Sequence, residues 1–539
     1  MHLNFNGLCR RRWLVFAAIL LCAIAVTAYW WGQGRPVALV DAPSGRVSCV
    51  SYAPSSEHGE SLLDEKWMLT AEHIERDLSL LAQRFDCVRT YSQSNGLDQV
   101  PRIAHRLGMQ TILGIWLSRD PVTNELEIRN GIKTALRDRE AIRAIVVGNE
   151  VLLRGELQPE VLAAFARRVR LATGLPVTYA DVWEFWRRHH AVIAPAVSFV
   201  TIHILPYWED EPVTVATAVA HVRDIYAQMV ALFPGKPILI GETGWPSAGR
   251  QRRGAVPSRV NQARFIREFL NFTAASRVPY NVIEAFDQPW KRRLEGTVGG
   301  YWGQFDRARR PKFPLQGAFA ETPHWYYAPL AGLGLAALFL IYATVTGKAR
   351  VGAPAMATFL ISIYTSAAVL FIDVQRWYLG SRNPFEWALG AALLLTAAVS
   401  TLLLTRTLGK WMAGGPPILI PSAAQFRHSD SSGQWLGVVR FLWLFLAAVL
   451  CLLLVYDPRY RDFPNALFAP VTIGFALTAC GAARTGNPAI EERLMSGWLM
   501  VAAVAIVVIE RPQNTSAVLW ATLCVILGLV TRLPKHQDR

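Results

Sequence analysis

Long apolar runs crowd the two ends of this 539-residue chain and are missing from its middle. Arg10-Arg11-Arg12 precede an unbroken run from Trp13 to Trp31, which matches the ~20 residues needed to cross a bilayer. From about Pro43 to Pro323 no segment is long and apolar enough to span. Seven more runs then follow, at about Trp325–Thr346, Pro354–Ile372, Trp387–Thr405, Trp435–Val455, Phe463–Ala482, Met495–Ile509 and Ser516–Thr531. That makes eight. Such a division demands two solvents: the middle must fold in water and the ends in lipid.

The first run ends in TAYWWGQG, with bulky aromatics where signal-peptide cleavage needs small residues. It reads as an uncleaved anchor with an interfacial Tyr/Trp belt. With the N-terminus in the cytoplasm, the inward loops carry Lys348/Arg350, Arg406/Lys410/Arg427 and Arg484/Arg493, and the tail carries Arg532, Lys535 and Arg539. The outward loops are shorter and carry Arg376/Arg382, Arg459/Arg461 and Arg511. This asymmetry is the positive-inside pattern. The expected organisation is a cytoplasmic N-terminus (1–12), a transmembrane anchor (13–31), an exported domain (32–323), a membrane domain of seven transmembrane helices (324–532) and a cytoplasmic tail (533–539). Charges in the spans sit near their ends (Asp373, Glu386, Arg440, Glu510). An ion or proton pathway leaves them at depth, so a proton-coupled transporter is disfavoured.

The 55 Lys and Arg against 40 Asp and Glu leave a net charge of +15. Much of it lies in short clusters beside apolar runs, not in the basic stripe of a nucleic-acid binder; nucleic acid is not an expected partner. Seven cysteines, an odd number, exclude a fully paired framework. Cys22, Cys451, Cys480 and Cys524 sit in apolar runs and read as small hydrophobes. Cys49 and Cys87 could in principle pair, but both fall in expected strands and read as buried thiols.

Between Arg46 and Pro323 short apolar strands alternate with amphipathic helical stretches. The strands are VSCVSYA (47–53), CVRTYS (87–92), QTILGIWL (110–117), IRAIVVGNE (142–150), PVTYADVW (176–183), VSFVTIHI (197–204), PILIGETGW (237–245) and YNVIEAF (280–286). Their near-continuous, β-branched hydrophobicity is that of strands buried on both faces. Helical stretches include Lys66–Arg84, Pro159–Ala172, Val213–Phe233 and Arg259–Ser276, with Val161, Phe165, Val169 and Ala172 expected on one buried face. Eight such units in about 275 residues match a (β/α)8 TIM barrel. No Gly-rich phosphate fingerprint follows a strand, which weakens a doubly wound sheet. The expected fold is thus a barrel followed by an all-α multi-span membrane domain.

Barrel chemistry sits where strands end. Two strands end on a glutamate, Glu150 in VVGNEV and Glu242 in LIGETGWPS. Other ends add Tyr52, Arg89, Tyr91, Trp116, Trp183, His203, Tyr207, Trp208 and Trp245, then Glu284 with Asp287, Trp290 and Lys291. Paired carboxylates among aromatics suit a sugar site, because ring faces stack on pyranoses while polar groups bind hydroxyls. Glycoside cleavage needs one carboxyl protonated, to assist the leaving oxygen, and one ionised, to meet the developing oxocarbenium ion. Strands four and seven stand nearly opposite, so the two can converge on one bond. A gap of ~5–5.5 Å gives a retaining mechanism and ~6.5–9.5 Å an inverting one.

VVGNEV and GETGWPSAG, with VRTYS before them and IEAFDQPWK and YWGQF after, resemble glycoside hydrolase family 17, a retaining β-1,3-glucanase and glucanosyltransferase family on a (β/α)8 barrel. The resemblance covers roughly half the chain, the exported domain. It implies Glu150 as acid/base and Glu242 as nucleophile. Asn149 would bind the 2-hydroxyl of the reacting sugar and Tyr207 would sit near the nucleophile. Trp245, Glu284, Asp287, Trp290 and Lys291 would line sugar subsites, with Tyr52, Arg89 and Tyr91 beside them. No metal and no cofactor are implied. EAFDQPWK is closer to the fungal and bacterial branch than to the plant enzymes. The multi-span architecture resembles bacterial membrane proteins of the β-glucan synthase-like or transglycosylase kind. That resemblance implies a bacterial inner membrane, a periplasmic catalytic domain, and as partners a β-glucan, the bilayer and a glucan synthase or export complex.

Other signals lead elsewhere or nowhere. VQRW at 374–377 matches part of the QxxRW motif of processive glycosyltransferases, yet it falls in an expected outward loop, away from cytosolic nucleotide sugars. His189-His190 lack a carboxylate or Cys at ligand spacing, so metal binding is unsupported. His203 reads either as a hydrogen-bond partner behind the site or as a core histidine. Arg250, Arg252 and Arg253 read equally as a solvated run or as contacts to an acceptor or anionic headgroups. The activity expected is retaining β-1,3-glucan transglycosylation that elongates, branches or cyclises chains. An endo-1,3-β-glucosidase and a non-enzymatic glucan-binding or export partner are the alternatives.

Overall fold

Strands that are apolar on both faces must be covered on both faces, and helices alternating with them in sequence provide the outer cover. A computed structural model describes residues 5–54, 67–347, 352–422, 434–483 and 488–532. Lys66, Lys348, Arg350, Arg427, Arg484, Lys535 and Arg539 lie outside the described residues. The chain divides into two compact units, Val37–Phe319, and Met1–Pro36 with Ala320–Arg539.

In the first unit, β1 (Val50–Ser51), β2 (Cys87–Arg89), β3 (Gln110–Ile115), β4 (Ile142–Asn149), β5 (Val177–Val182), β6 (Val200–His203) and β7 (Ile238–Glu242) pair in chain order. Every pair is parallel. The eighth expected strand forms bridges instead of a full ladder: Tyr280 pairs with Ile240 and Val282 with Val50. The Asn281 N–H donates to Ile240 O at 2.8 Å and the Val282 N–H to Cys49 O at 3.0 Å. That segment therefore closes the curled sheet between β7 and β1, as in a (β/α)8 barrel.

Local chemistry sets the helices between the strands. Thr70, Asp120 and Ser258 cap Ala71–Leu81, Pro121–Arg137 and Arg259–Ser276 through side-chain oxygens on first-turn N–H groups, as orphan helix donors require. Pro159–Thr173 departs from the expected face. Val161 and Ala172 are exposed, and Leu162, Ala163, Ala166, Val169 and Thr173 are buried instead. Two apolar arcs overlap on this helix, and the arc bearing Ala163 and Ala166 is the one that is buried.

Cys49 and Cys87 are not free thiols: they form a disulfide. The β1/β2 register pairs Val50 with Val88, which sets the preceding cysteines side by side with Cα atoms 4.3 Å apart. Strand assignment alone argued for thiols because it ignored that register.

Of the eight apolar runs, seven become helices long and apolar enough to cross a membrane: Cys9–Gly34, Tyr327–Val345, Ala353–Gly380, Pro384–Met412, Gln434–Tyr456, Ile490–Glu510 and Thr515–Arg532. The run Phe463–Ala482 falls short of expectation. It forms Asn465–Ala479, 15 residues with Pro470 inside, about 22 Å at the helical rise against a ~30 Å hydrocarbon core. Asn465 Nδ2 donates to Ser516 O at 2.9 Å, and Ala482-Ala483 pair with Ile418-Leu419.

Candidate active site

β4 delivers Glu150 through an irregular exit. Asn149 pairs with Ala180 and Val146 with Thr178, so β4 spends three steps where β5 spends two, the one-residue excess of a bulge. Gly148 takes φ +84° there, and a Cβ on it would lie 2.9 Å from Val151 Cγ2. Glu150 itself has φ 53°, a left-handed conformation that costs a residue with a side chain ~1–2 kcal/mol. Such outliers gather at functional sites. β7 ends more simply, with Glu242 as its last residue.

The two carboxyls converge, with His203 of β6 between them. One oxygen of Glu150, one ring nitrogen of His203 and one oxygen of Glu242 all lie within 4.8 Å of one another. His203 Nδ1 is 2.8 Å from Glu150 Oε1, and His203 Nε2 is 3.6 Å from Glu242 Oε1. That spacing would also frame a small cation. Arg89 of β2, only 1% exposed, already supplies the charge: Nη1 donates to Glu242 Oε1 at 3.2 Å and to Gly241 O at 2.8 Å, and Nη2 donates to Asn149 Oδ1. The sequence leaves His203 open between two readings, and strand position alone does not reveal its place between the acids.

The two acids are held differently. Glu242, with a side chain 6% exposed, takes Arg89 and the Tyr91 hydroxyl, which donates to its Oε1 at 2.8 Å. That hydroxyl also lies 2.9 Å from Ser51 Oγ, which accepts from Asn281 Nδ2 at 2.8 Å. Glu150, 23% exposed, takes His203. Burial alone would raise the Glu150 carboxyl. The hydrogen bond and charge of His203, with the cations of Arg154 and Arg89 behind it, outweigh burial and hold it below the usual carboxylate range. Arg154 also donates to the backbone carbonyls of Asn149 and Leu117, and its guanidinium lies 4.4 Å from the centre of the Trp116 ring.

The wall after β7 carries a third acid. Glu284 is wholly buried and 2.7 Å from Lys291 Nζ; burial, opposed by Lys291, pushes its carboxyl up to about 7. Asp287 is engaged elsewhere. It accepts from Lys312 Nζ at 2.7 Å and from the Gly303 N–H at 2.9 Å, and burial pushes it up to about 6. Glu295, which the sequence analysis did not single out, sits on the short helix Arg292–Gly299. Burial pushes its carboxyl up; Lys291 opposes, and the charges of Glu150 and Glu242 add to the rise. No short motif marks it.

Three aromatic expectations change. Tyr52 has no exposed surface and its hydroxyl donates to Asp77 Oδ2 at 3.3 Å, so it offers nothing to a sugar. Trp245 is equally buried, with its indole N–H on Val256 O and its ring 6.0 Å from that of Phe265. Tyr207 is buried, and its hydroxyl donates to Arg250 O at 2.6 Å; the tyrosine seated on Glu242 is Tyr91. In each case a strand-end aromatic turns under the loops instead of over them. Trp290 remains half-buried, its Nε1 donating to Gln288 Oε1 at 2.7 Å. Arg252 lies over the Tyr207 and Trp208 rings, 5.7 and 5.4 Å from their centres.

Comparison with known proteins bears on the same segment. Residues 49–303 match the family model described as the BtgE/BtgC glycoside hydrolase domain, and the likeness to glycoside hydrolase family 17 holds over this segment. The chain is 28% identical over 235 residues to a probable beta-glucosidase btgE of Aspergillus fumigatus, covering 42% of this chain and 40% of that protein. It is 27% identical over 323 residues to a glucan 1,3-beta-glucosidase of Schizosaccharomyces pombe, covering 56% of this chain and 96% of that one. Among solved structures, the family 17 β-1,3-glucanosyltransferase of Rhizomucor miehei is 27% identical, with 50% of this chain and 97% of that chain covered and a TM-score of 0.44.

Proposed function

We propose, taking residues 49–303 as a glycoside hydrolase domain like those of family 17, that this chain is a membrane-bound retaining β-1,3-glucan transglycosylase. The observation that carries the reading is the approach of the Glu150 and Glu242 carboxylates, whose donor oxygens lie within 4.8 Å of one another and of a nitrogen of His203. That approach is on the short side of the two carboxyl separations and favours a covalent intermediate over a water held between the acids.

In this reading Glu242 attacks the anomeric carbon while Glu150 gives its proton to the departing glycosidic oxygen. The C–O bond to the leaving chain breaks and an ester to Glu242 forms. Glu150, now the base, takes the proton of an incoming sugar hydroxyl as that oxygen displaces Glu242. Asn149 would bind the 2-hydroxyl of the reacting sugar, and Lys291 and Trp290 would line the subsite wall, with the wholly buried Glu284 behind Lys291. Glu150 Oε1 lies 2.8 Å from His203 Nδ1. A bound sugar expels water from this more exposed acid, which pushes its carboxyl back up.

Water can also attack the ester, and the names of the fungal relatives favour hydrolysis as the second reading. Seven apolar helices beside the barrel in sequence favour remodelling of glucan at a membrane. The Cys49–Cys87 disulfide favours an oxidising, exported compartment for the barrel, here the periplasm of a bacterial inner membrane, beside a glucan synthase or export complex.

The test is the full-length chain in detergent with laminari-oligosaccharides. Products longer than the substrate, formed first as the β-anomer, are expected. Shorter products alone, at every substrate concentration, defeat the transferase reading. Glu150→Gln should lose ~10²–10⁴-fold in rate, and full activity in Glu242→Gln removes the catalytic assignment.

A further inference from the structure

Glu150 cannot hold its left-handed backbone alone. Its own N–H donates to Ala180 O at 2.8 Å, and the chain then turns through 151–155, where Gly155 N–H meets Leu152 O and Glu156 N–H meets Val151 O. Two side chains of β5 grip the inner edge of that turn. The Tyr179 hydroxyl accepts from the Leu152 N–H at 2.9 Å, and Asp181 Oδ2 accepts from the Leu153 N–H at 3.3 Å. The same Oδ2 accepts from the Tyr179 hydroxyl, and Oδ1 accepts from the Val182 N–H at 2.7 Å. Both residues have no exposed surface, so neither touches a substrate.

We propose that Asp181 is a positioning residue for Glu150: with Tyr179 it pins the turn that fixes the acid/base. The inference rests on the reading of Glu150 as acid/base. Glu150 is faced by His203 of β6, Arg154 of its own turn, Arg89 of β2, Glu242 of β7 and Glu295 of the helix Arg292–Gly299. Asp181 is faced by Tyr179, Glu150 and His203. Burial pushes its own carboxyl up to about 6, Tyr179 opposes, and the charge of Glu150 adds to the rise.

The test uses Asp181→Asn and Tyr179→Phe in the full-length chain. Each is assayed on laminaritetraose, whose leaving oxygen needs a proton, and on a 2,4-dinitrophenyl β-laminarioside, whose leaving group departs without one. Asp181→Asn should lower kcat on laminaritetraose ~10–100-fold, part of what an acid/base supplies, with KM nearly unchanged. Most of the loss should vanish on the dinitrophenyl substrate. Equal losses on both substrates overturn the proposal. Should Asp181→Asn fail to fold, Tyr179→Phe decides: a loss confined to laminaritetraose supports the pinned turn, and wild-type rates or equal losses overturn it. Glu150→Gln is run alongside. If it stays active on laminaritetraose, the reading of Glu150 itself fails; if it is crippled while Asp181→Asn matches wild type, only this inference fails.

Discussion

Breaking the Cys49–Cys87 bridge should cost the barrel about 4 kcal/mol. The two cysteines are 38 residues apart in sequence. Closing a loop of that length in the unfolded chain removes ~13 cal/mol/K, which is about 4 kcal/mol at 25 °C. Cys49→Ala, Cys87→Ala and the double variant form the test, with thermal unfolding of the full-length protein in detergent followed through the barrel transition. Each single substitution already severs the bond, so the second costs little more, and the cycle should show a coupling of about 4 kcal/mol. At 2–4 °C per kcal/mol for domains approaching this size, each variant melts roughly 8–16 °C lower. Additive losses would refute the bond, because a cavity left by one sulfur knows nothing of the other. Thiol trapping supplies a second readout. Without reductant, the five cysteines Cys9, Cys22, Cys451, Cys480 and Cys524 should label after denaturation, and all seven of the chain should label with it. Seven without reductant would place the barrel in a reducing compartment.

Tyr91→Phe removes a donor from Glu242 and should lower kcat/KM on laminari-oligosaccharides about 10–150-fold, the range for a hydrogen bond to a charged group. Tyr207→Phe, whose hydroxyl serves Arg250 O, should lower Tm more than turnover; the reverse ranking in a kinetic assay would return Tyr207 to the nucleophile. Glu284, ordinarily 4.5 and here about 7, stabilises the fold in its protonated form. That contribution is complete below about pH 4.5 and is lost as the pH rises through 7, about 3 kcal/mol in all. Tm measured against pH should therefore fall more steeply over that interval in the wild type than in Glu284→Gln, and parallel curves would contradict the assignment. Gly148→Ala meets both the positive φ and Val151 Cγ2 at 2.9 Å. It should destabilise by at least ~1 kcal/mol and lower activity further than Tm explains, since the shift falls two residues from Glu150.

The barrel was legible because its signal is repeated: each β-branched run ends at one rim, and whatever chemistry the chain carries is displayed there. Glu150, Glu242 and Arg89 were read from that rule, Asn149 entered through the family resemblance, and all four meet at one point. What escaped depends on partners far away in sequence. The disulfide follows from the β1/β2 register, the seating of His203 from a bulge and register shift on either side of it, and the Tyr91–Glu242 bond from the closure of β1 on the 280–283 segment. Tyr52, Trp245 and Tyr207 show the converse error. An aromatic at a strand end points into either the mouth or the layer beneath the loops, and its own neighbours in sequence do not say which. The 15-residue helix Asn465–Ala479 shows the same limit in the membrane unit, where Pro464 precedes the helix and Pro470 lies within it, inside an apolar run that hydropathy cannot subdivide.

The asymmetry between the two acids follows from where their donors come from. Glu242 lies deeper and receives two donors, Arg89 from β2 and Tyr91 from just after that strand. Glu150 stands nearer the rim on a backbone that would relax if it could, with one histidine contact and about a quarter of its side chain in solvent. Exposure there is useful. The acid has to reach a leaving oxygen in the first half of the reaction and an incoming hydroxyl in the second, and both approach from the open side. The same opening admits water, so the two carboxylates cannot by themselves choose between transfer and hydrolysis. In the proposed reaction the choice passes to whatever holds a sugar against that open side long enough to outcompete water, and the half-buried aromatics Trp116, Trp183 and Trp208 after β3, β5 and β6 are the candidates for it.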